Sequence, residues 1–179
     1  MIKAKKSLGQ NFLIDKNILE KIVNSAEILN KKILEIGPGT GNLTEYIIKE
    51  RPKNTIVVEK DIELIKILEK KFKKKIKIIN KDVLRLTEKF YSEKFLIYGN
   101  LPYNISTQIL AYWCLNKHIK FKKLILMFQK EVADRIIADV NTKEYSRITI
   151  LANWKFDIKK IFDISPECFS PRPKITSTL

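Results

Sequence analysis

What most constrains this chain is a rhythm of short apolar runs, each separated from the next by a segment with helical spacing. Residues 32–36, 55–58, 76–79, 95–98 and 124–128 read as strands. Helical spacing covers 43–50, 61–72 and 107–115 between them, 15–26 ahead of them with Asp15 as N-cap, and 131–138 and 146–154 behind. Residues 156–164 read as extended. Strands that are continuous apolar runs, alternating with helices, predict an α/β fold: a mostly parallel sheet with helices on both faces. Ligands of such sheets sit beyond the carboxyl ends of the strands, where the strand order reverses. Gly37, Glu59, Asp82 and Asn100 each follow a predicted strand, so together they predict a site there.

Charge narrows the partner. The 179 residues carry a formal net charge of +15, which favours a polyanion, with nucleic acid the usual one. Lysine outnumbers arginine heavily, so compositional bias accounts for part of that charge, and the run "KKFKKKIKI" at 70–78 reads as a solvated helix end. No apolar stretch is long enough for a membrane span, and "MIKAKKSLGQ" lacks the apolar centre of a signal peptide. Cys114 and Cys168 have neither metal-ligand spacing nor the number for a disulfide framework. The expectation is one cytoplasmic domain with no metal.

The cofactor is read from three places. In "EIGPGTGNLT" (35–44), Gly37, Gly39 and Gly41 allow close backbone approach at a helix start. The spacing is not the dinucleotide fingerprint, and Pro38 removes a donor that a pyrophosphate would use. Glu59 can accept from both ribose hydroxyls, and Asp82 from an exocyclic adenine amine. A ribose acceptor, an adenine acceptor and a phosphate-averse turn describe S-adenosylmethionine better than NAD.

With "SLGQNFL" (7–13), "GNLPYNIS" (99–106), "FQKEVADRI" (128–136) and "FSPRPKITS" (169–177) added in order, the chain resembles the small-subunit ribosomal RNA adenine N6,N6-dimethyltransferases, the kasugamycin-resistance family. The resemblance implies a Rossmann-like S-adenosylmethionine-dependent methyltransferase fold over residues 1–179. It places cofactor contacts on Gln10, Asn11, Leu13, Gly37, Glu59, Asp82 and Asn100, with the segment around Gln10 and Asn11 folded over the methionine end. The related macrolide-resistance family, which methylates large-subunit RNA, usually lacks the glycine before Gln10-Asn11-Phe12 and has Ile at Leu101. The family continues through the last strand into a small helical domain, so the last strand is expected to be cut short here and that domain absent.

Within "NLPY", the Asn100 side chain and the Leu101 carbonyl are expected to accept from the two hydrogens of an adenine N6 amine. Pro102 restricts Leu101 to extended geometry. Tyr103 offers a stacking face that needs the ring and not the hydroxyl, and Phe169 is expected to supply the other face. Lys5, Lys6, Lys130, Arg147, Arg172 and Lys174 are candidate phosphate contacts. His118 is expected at the surface, and Trp113 and Trp154 in packing. The partner expected is ribosomal RNA of an immature small subunit, met by a monomer. A non-catalytic RNA-binding factor on the same fold is the reading from another class.

Overall fold

In a computed structural model the structure describes residues 4, 5, 8–87, 90, 91 and 93–179. Six helices and nine strands form among the described residues. The central strands are β2 (Lys32–Ile36), β3 (Asn54–Glu59), β4 (Lys77–Asn80), β5 (Leu96–Asn100) and β6 (Lys123–Gln129), and they pair in parallel. Two short strands, β7 (Asp163–Ile164) and β9 (Ser177–Thr178), complete a seven-stranded sheet of order β4-β3-β2-β5-β6-β9-β7. Here β9 runs antiparallel to both neighbours. The order reverses between β2 and β5, which opens a crevice at their carboxyl ends.

Alternation along each strand divides the core. Leu34, Ile36 and Ile97 face one layer, with Ile109 and Trp113 of α4 (Ser106–Leu115) and Ala152 of α6 (Arg147–Lys155). Ile33, Leu96 and Tyr98 face the other, against α1 (Lys16–Val23) and α2 (Asn42–Lys49). On that second side Tyr98 donates its hydroxyl to the Val23 carbonyl at 3.0 Å, tying the end of α1 to the sheet. A third cluster joins Val57 to Leu68 and Phe72 of α3 (Ile62–Phe72).

Boundaries shift where capping decides them. Asp15 caps α1 as expected, accepting from Ile18 N–H, but α1 ends at Val23 instead of continuing to Ala26. Helix α4 starts at Ser106, one residue ahead of the expected start, and the Ser106 hydroxyl donates to the Tyr103 carbonyl. Of 156–164, only Asp163–Ile164 finds a strand partner. A strand that the sequence does not announce, β1 (Phe12–Leu13), pairs antiparallel with β8 (Phe169–Ser170). Helix α5 (Lys130–Ile136) follows β6 directly.

Candidate active site

The four residues at the strand ends converge. Gly37 follows β2, Glu59 and Asn100 are the last residues of β3 and β5, and Asp82 lies two residues beyond β4. All four line one cleft, together with Gln10, Asn11, Leu13 and Gly39. Gly37, at φ 67°, sits so close across the crevice that a Cβ there would lie 3.4 Å from the Asn100 carbonyl oxygen.

The three glycines do different jobs. Gly39 lines the cleft, and a Cβ on it would meet the Phe12 ring at 2.8 Å. Gly41 does not line the cleft, which corrects the expectation that it approaches the cofactor. It is the N-cap of α2 at φ 77°, and a Cβ there would fall 2.4 Å from the Phe72 ring. Its smallness lets α3 pack behind the turn.

The turn is poorly furnished for phosphate. Gly37 N–H donates to the Val58 carbonyl, Gly41 N–H to the Pro38 carbonyl and Gly39 N–H to Glu59 Oε2, while Pro38 has no N–H. Carboxylates of Glu35, Glu59 and Asp82 line the cleft against the ammonium groups of Lys60 and Lys81. With Asp82 paired to Lys60 and burial favouring the protonated form of Glu35, the cleft has no surplus of positive charge to draw a pyrophosphate. Apolar Val83, Leu84, Leu101 and Pro102 share the lining, a surface on which a flat base can lie. These features fit S-adenosylmethionine, a cation without phosphates.

Glu59 Oε1 accepts from the N–H groups of Lys60 and Asp61, both at 2.9 Å, and Oε2 accepts only the longer 3.3 Å bond from Gly39. Oε2 therefore holds most of the remaining acceptor capacity, so the carboxylate does not meet a ribose with two free oxygens. Burial pushes this carboxyl up, against the three backbone donors. Asp82 Oδ2 pairs with Lys60 Nζ at 2.9 Å, which holds its carboxyl below the usual range, and Oδ1 caps Leu84 N–H.

A segment of residues 8–13 closes over these strand ends. Asn100 Nδ2 donates to the Asn11 carbonyl at 2.9 Å, and Asn42 Nδ2 to the Leu13 carbonyl at 2.7 Å. Gln10 Nε2 and Lys5 Nζ both reach Asp61, at 2.9 and 2.8 Å. Burial works to raise Asp61, but those two partners outweigh it and hold the carboxyl low. Because Nδ2 of Asn100 is committed to Asn11, its Oδ1 turns the other way with no partner among the described residues.

Glu35 was not singled out by sequence reasoning. It lies in the middle of β2, 1% exposed, accepts from Thr44 Oγ1 at 2.6 Å, and lines the cleft. Burial pushes its carboxyl up to about 7. A glutamate inside the otherwise apolar "KILEI" was the available signal.

The expected stacking pair is only half assembled. Tyr103 lines the cleft, and its hydroxyl shares a 2.6 Å hydrogen bond with Ser177 Oγ. Phe169 does not line it: pairing of β1 with β8 draws this side chain into the core beside Leu13, leaving it 3% exposed. The cations also sort unequally. Lys5 pairs with Asp61 and Glu63, Lys130 with Asp134, and Arg172 with Glu167. Arg147 and Lys174 are exposed, and Lys6 lies outside the described residues. Trp113 is fully buried as expected, whereas Trp154 is 73% exposed, because α6 turns it away from the packed α4 side. His118 is exposed. Among the described residues no cluster of His, Cys, Asp or Glu could hold a metal, and no helix is long and apolar enough to cross a membrane.

Comparison with known proteins agrees with this geometry. Residues 1–179 match the family model described as ribosomal RNA adenine dimethylase. The chain is 58% identical to ribosomal RNA small subunit methyltransferase A of Pelagibacter ubique, over 99% of its own length and 69% of that protein's. Among solved structures, a dimethyladenosine transferase from Plasmodium falciparum superposes with TM-score 0.82 at 31% identity, covering 93% of this chain and 61% of that one. The 23S rRNA methyltransferase ErmE gives TM-score 0.77 at 28% identity, covering 94% and 67%. The chain thus spans about two thirds of the length of these relatives. With the cleft at the β2–β5 switch point and a match along its full length, this chain belongs to the ribosomal RNA adenine dimethylase family.

Proposed function

We propose that this chain is the methyl-transferring part of an S-adenosylmethionine-dependent enzyme that converts adenines of small-subunit ribosomal RNA to N6,N6-dimethyladenine. S-adenosylmethionine, when bound, supplies a methyl group on a positively charged sulfur. Glu59 Oε2 receives the ribose, Asp82 the adenine amine, and the strap of Gln10, Asn11 and Leu13 covers the cleft, with Gly37 and Gly39 forming its close-fitting floor.

The target nitrogen is a poor nucleophile because its lone pair is delocalised into the purine ring. In the first transfer Asn100 Oδ1 and the Leu101 carbonyl accept from its two hydrogens, and in the second one of them accepts from the hydrogen that remains. That favours a pyramidal nitrogen whose lone pair is localised, and the two fixed acceptors gain strength as positive charge develops during attack. Pro102 keeps the Leu101 carbonyl in place. Tyr103 stacks on the base, and the proton released from the methylated ammonium passes to water. Positioning and fixed dipoles supply the acceleration, without a strong general base.

The observation that carries this reading is the anchored amide of Asn100: its nitrogen donates to the Asn11 carbonyl, which leaves its oxygen without a partner among the described residues. The test is transfer of labelled methyl groups to under-methylated small subunits, followed by mapping of the modified nucleotides. Two labelled methyl groups on the N6 of the same adenine in small-subunit RNA support the reading. Label confined to large-subunit RNA would make the chain a macrolide-resistance type, and none on either RNA would leave a non-catalytic binder. The relative that is 58% identical over the matched residues is named for the small subunit, which favours the first outcome. An immature small subunit as substrate, action as a monomer and a cytoplasmic location belong to the same proposal, as do Arg147 and Lys174 as phosphate contacts and a further helical domain in the whole protein.

A further inference from the structure

Ser177 is an unusual residue for its place. It lies in β9, between β6 and β7, and is completely buried. A hydroxyl in such a position is costly to bury unless it is hydrogen-bonded. Among the described residues its one side-chain partner is the Tyr103 hydroxyl, 2.6 Å away and 74 positions earlier in the chain. The strand that carries it is fixed on both edges: Ser177 pairs in register with Gln129 on one side and with Ile164 on the other. The flanking residues are fixed too, since Thr178 Oγ1 donates to Asp163 Oδ1 and the Thr176 carbonyl accepts from Lys130 N–H.

Tyr103, by contrast, sits in a turn with few constraints of its own. Residues 101–105 form no regular element between β5 and α4, and the Tyr103 side chain is half-buried at the cleft. The turn is held by Ile105 N–H to the Pro102 carbonyl and by Ser106 Oγ to the Tyr103 carbonyl, which fix the backbone but not the ring. The hydroxyl contact reaches the far end of the side chain, so it fixes where the long axis of the ring points and with it the place of the ring in the cleft.

We propose that Ser177 is a positioning residue for methyl transfer: from the immobile strand β9 it holds the Tyr103 hydroxyl, and through it the orientation of the ring that receives the target adenine. This rests on the stacking role given to Tyr103 above, and it changes one expectation drawn from the sequence. The hydroxyl is not dispensable, because a phenylalanine ring at 103 would lose its tether to the sheet. A misdirected ring leaves affinity for RNA largely in place but misaligns the amine with the methyl group, and small misplacements of that kind are expensive in rate.

The experiment compares the wild type with Ser177→Ala, Ser177→Thr, Tyr103→Phe and the Ser177→Ala/Tyr103→Phe double variant. The rate read is single-turnover methyl transfer to under-methylated small subunits at saturating S-adenosylmethionine. Ser177→Ala is expected to lose about ten- to a hundredfold in the transfer rate, with RNA and cofactor affinities unchanged. Tyr103→Phe should lose a similar factor, the double variant no more than either, and Ser177→Thr should recover most of the rate. Losses that multiply in the double variant, or a loss in cofactor affinity alone, would show that Ser177 acts on the sheet and overturn the proposal. A second measurement needs no RNA: in protein carrying 13C-labelled tyrosine, the Tyr103 ring resonances should move in Ser177→Ala and return in Ser177→Thr. An unchanged Tyr103 signal would equally overturn it. Tyr103→Ala separates this inference from the reading beneath it, since full activity in that variant would remove the stacking role itself while leaving the resonance test standing.

Discussion

Replacing Glu35 by glutamine should convert a stability that falls with pH into one that does not. The side chain is fully enclosed in β2, its one hydrogen-bond partner among the described residues is Thr44 Oγ1, and glutamine keeps that acceptor. Burial is the main cause of the raised carboxyl; the nearby Glu59 adds to it, while Thr44 and Lys71 oppose it. Below the unfolded value of 4.5 both states hold the proton, and the group costs nothing. Between 4.5 and about 7 the unfolded chain releases it while the folded protein keeps it, so stability falls as pH rises through that window. At roughly 1.36 kcal/mol per pH unit, the whole window amounts to about 3 kcal/mol. Urea unfolding of both proteins at about pH 4.5 and about pH 8 measures it, each pH giving one difference between variant and wild type. That difference should move by about 3 kcal/mol in favour of the variant across the window. A difference that stays the same at both ends would show that Glu35 is ionised with ease, and that the cleft floor is wetter than its burial implies.

Other outcomes are equally definite. Glu59→Gln should weaken S-adenosylmethionine binding by roughly 1.5–3 kcal/mol in calorimetry, since an amide replaces part of a charged acceptor; unchanged affinity in a folded variant removes Glu59 from the ribose. Asn100→Ala should lower methyl transfer by about 10²–10³ at saturating cofactor with RNA docking nearly intact, and a near wild-type rate would end the two-acceptor mechanism. Gly41→Ala should destabilise the chain by about 1–3 kcal/mol in urea unfolding through overpacking against Phe72, with the positive φ adding to the cost; a neutral result would mean that α3 is free to shift. RNA affinity should fall with salt with a log–log slope of several units if exposed lysines and arginines track phosphates, whereas a flat dependence would assign most of the +15 charge to composition alone.

The sequence announced the elements that bury a continuous apolar run and the residues that end them. Strand ends at Gly37, Glu59 and Asn100 were readable because a parallel strand buried on both faces is apolar until it stops. What stayed hidden depends on pairing between distant segments. The two-residue ladder of β1 with β8 has no periodicity to detect, and it is that ladder that takes Phe169 out of the cleft. Gly41 looked like part of a ligand cradle because a positive φ and a close approach give the same letter, whether the neighbour is a cofactor or Phe72. The partners of Lys5, Lys130 and Arg172 were likewise invisible, although Lys130–Asp134 is an ordinary i, i+4 pair that helix spacing alone could have suggested.

The packing behind the glycine turn has a thermodynamic side. Phe72 and Leu68 crowd Gly41 from one direction, Phe12 crowds Gly39 from another, and three of the turn's N–H groups are already bonded within the protein. The turn is therefore set by the core and has little conformational freedom to surrender when a ligand arrives. The part of the strap ahead of β1, residues 8–11, is held by polar side-chain bonds at Asn100 and Asp61, which can open one at a time. Ligand binding then orders one wall and leaves the other as it was. In hydrogen exchange, amides of residues 8–11 would slow on binding, while those of the turn, protected beforehand, would keep their rates.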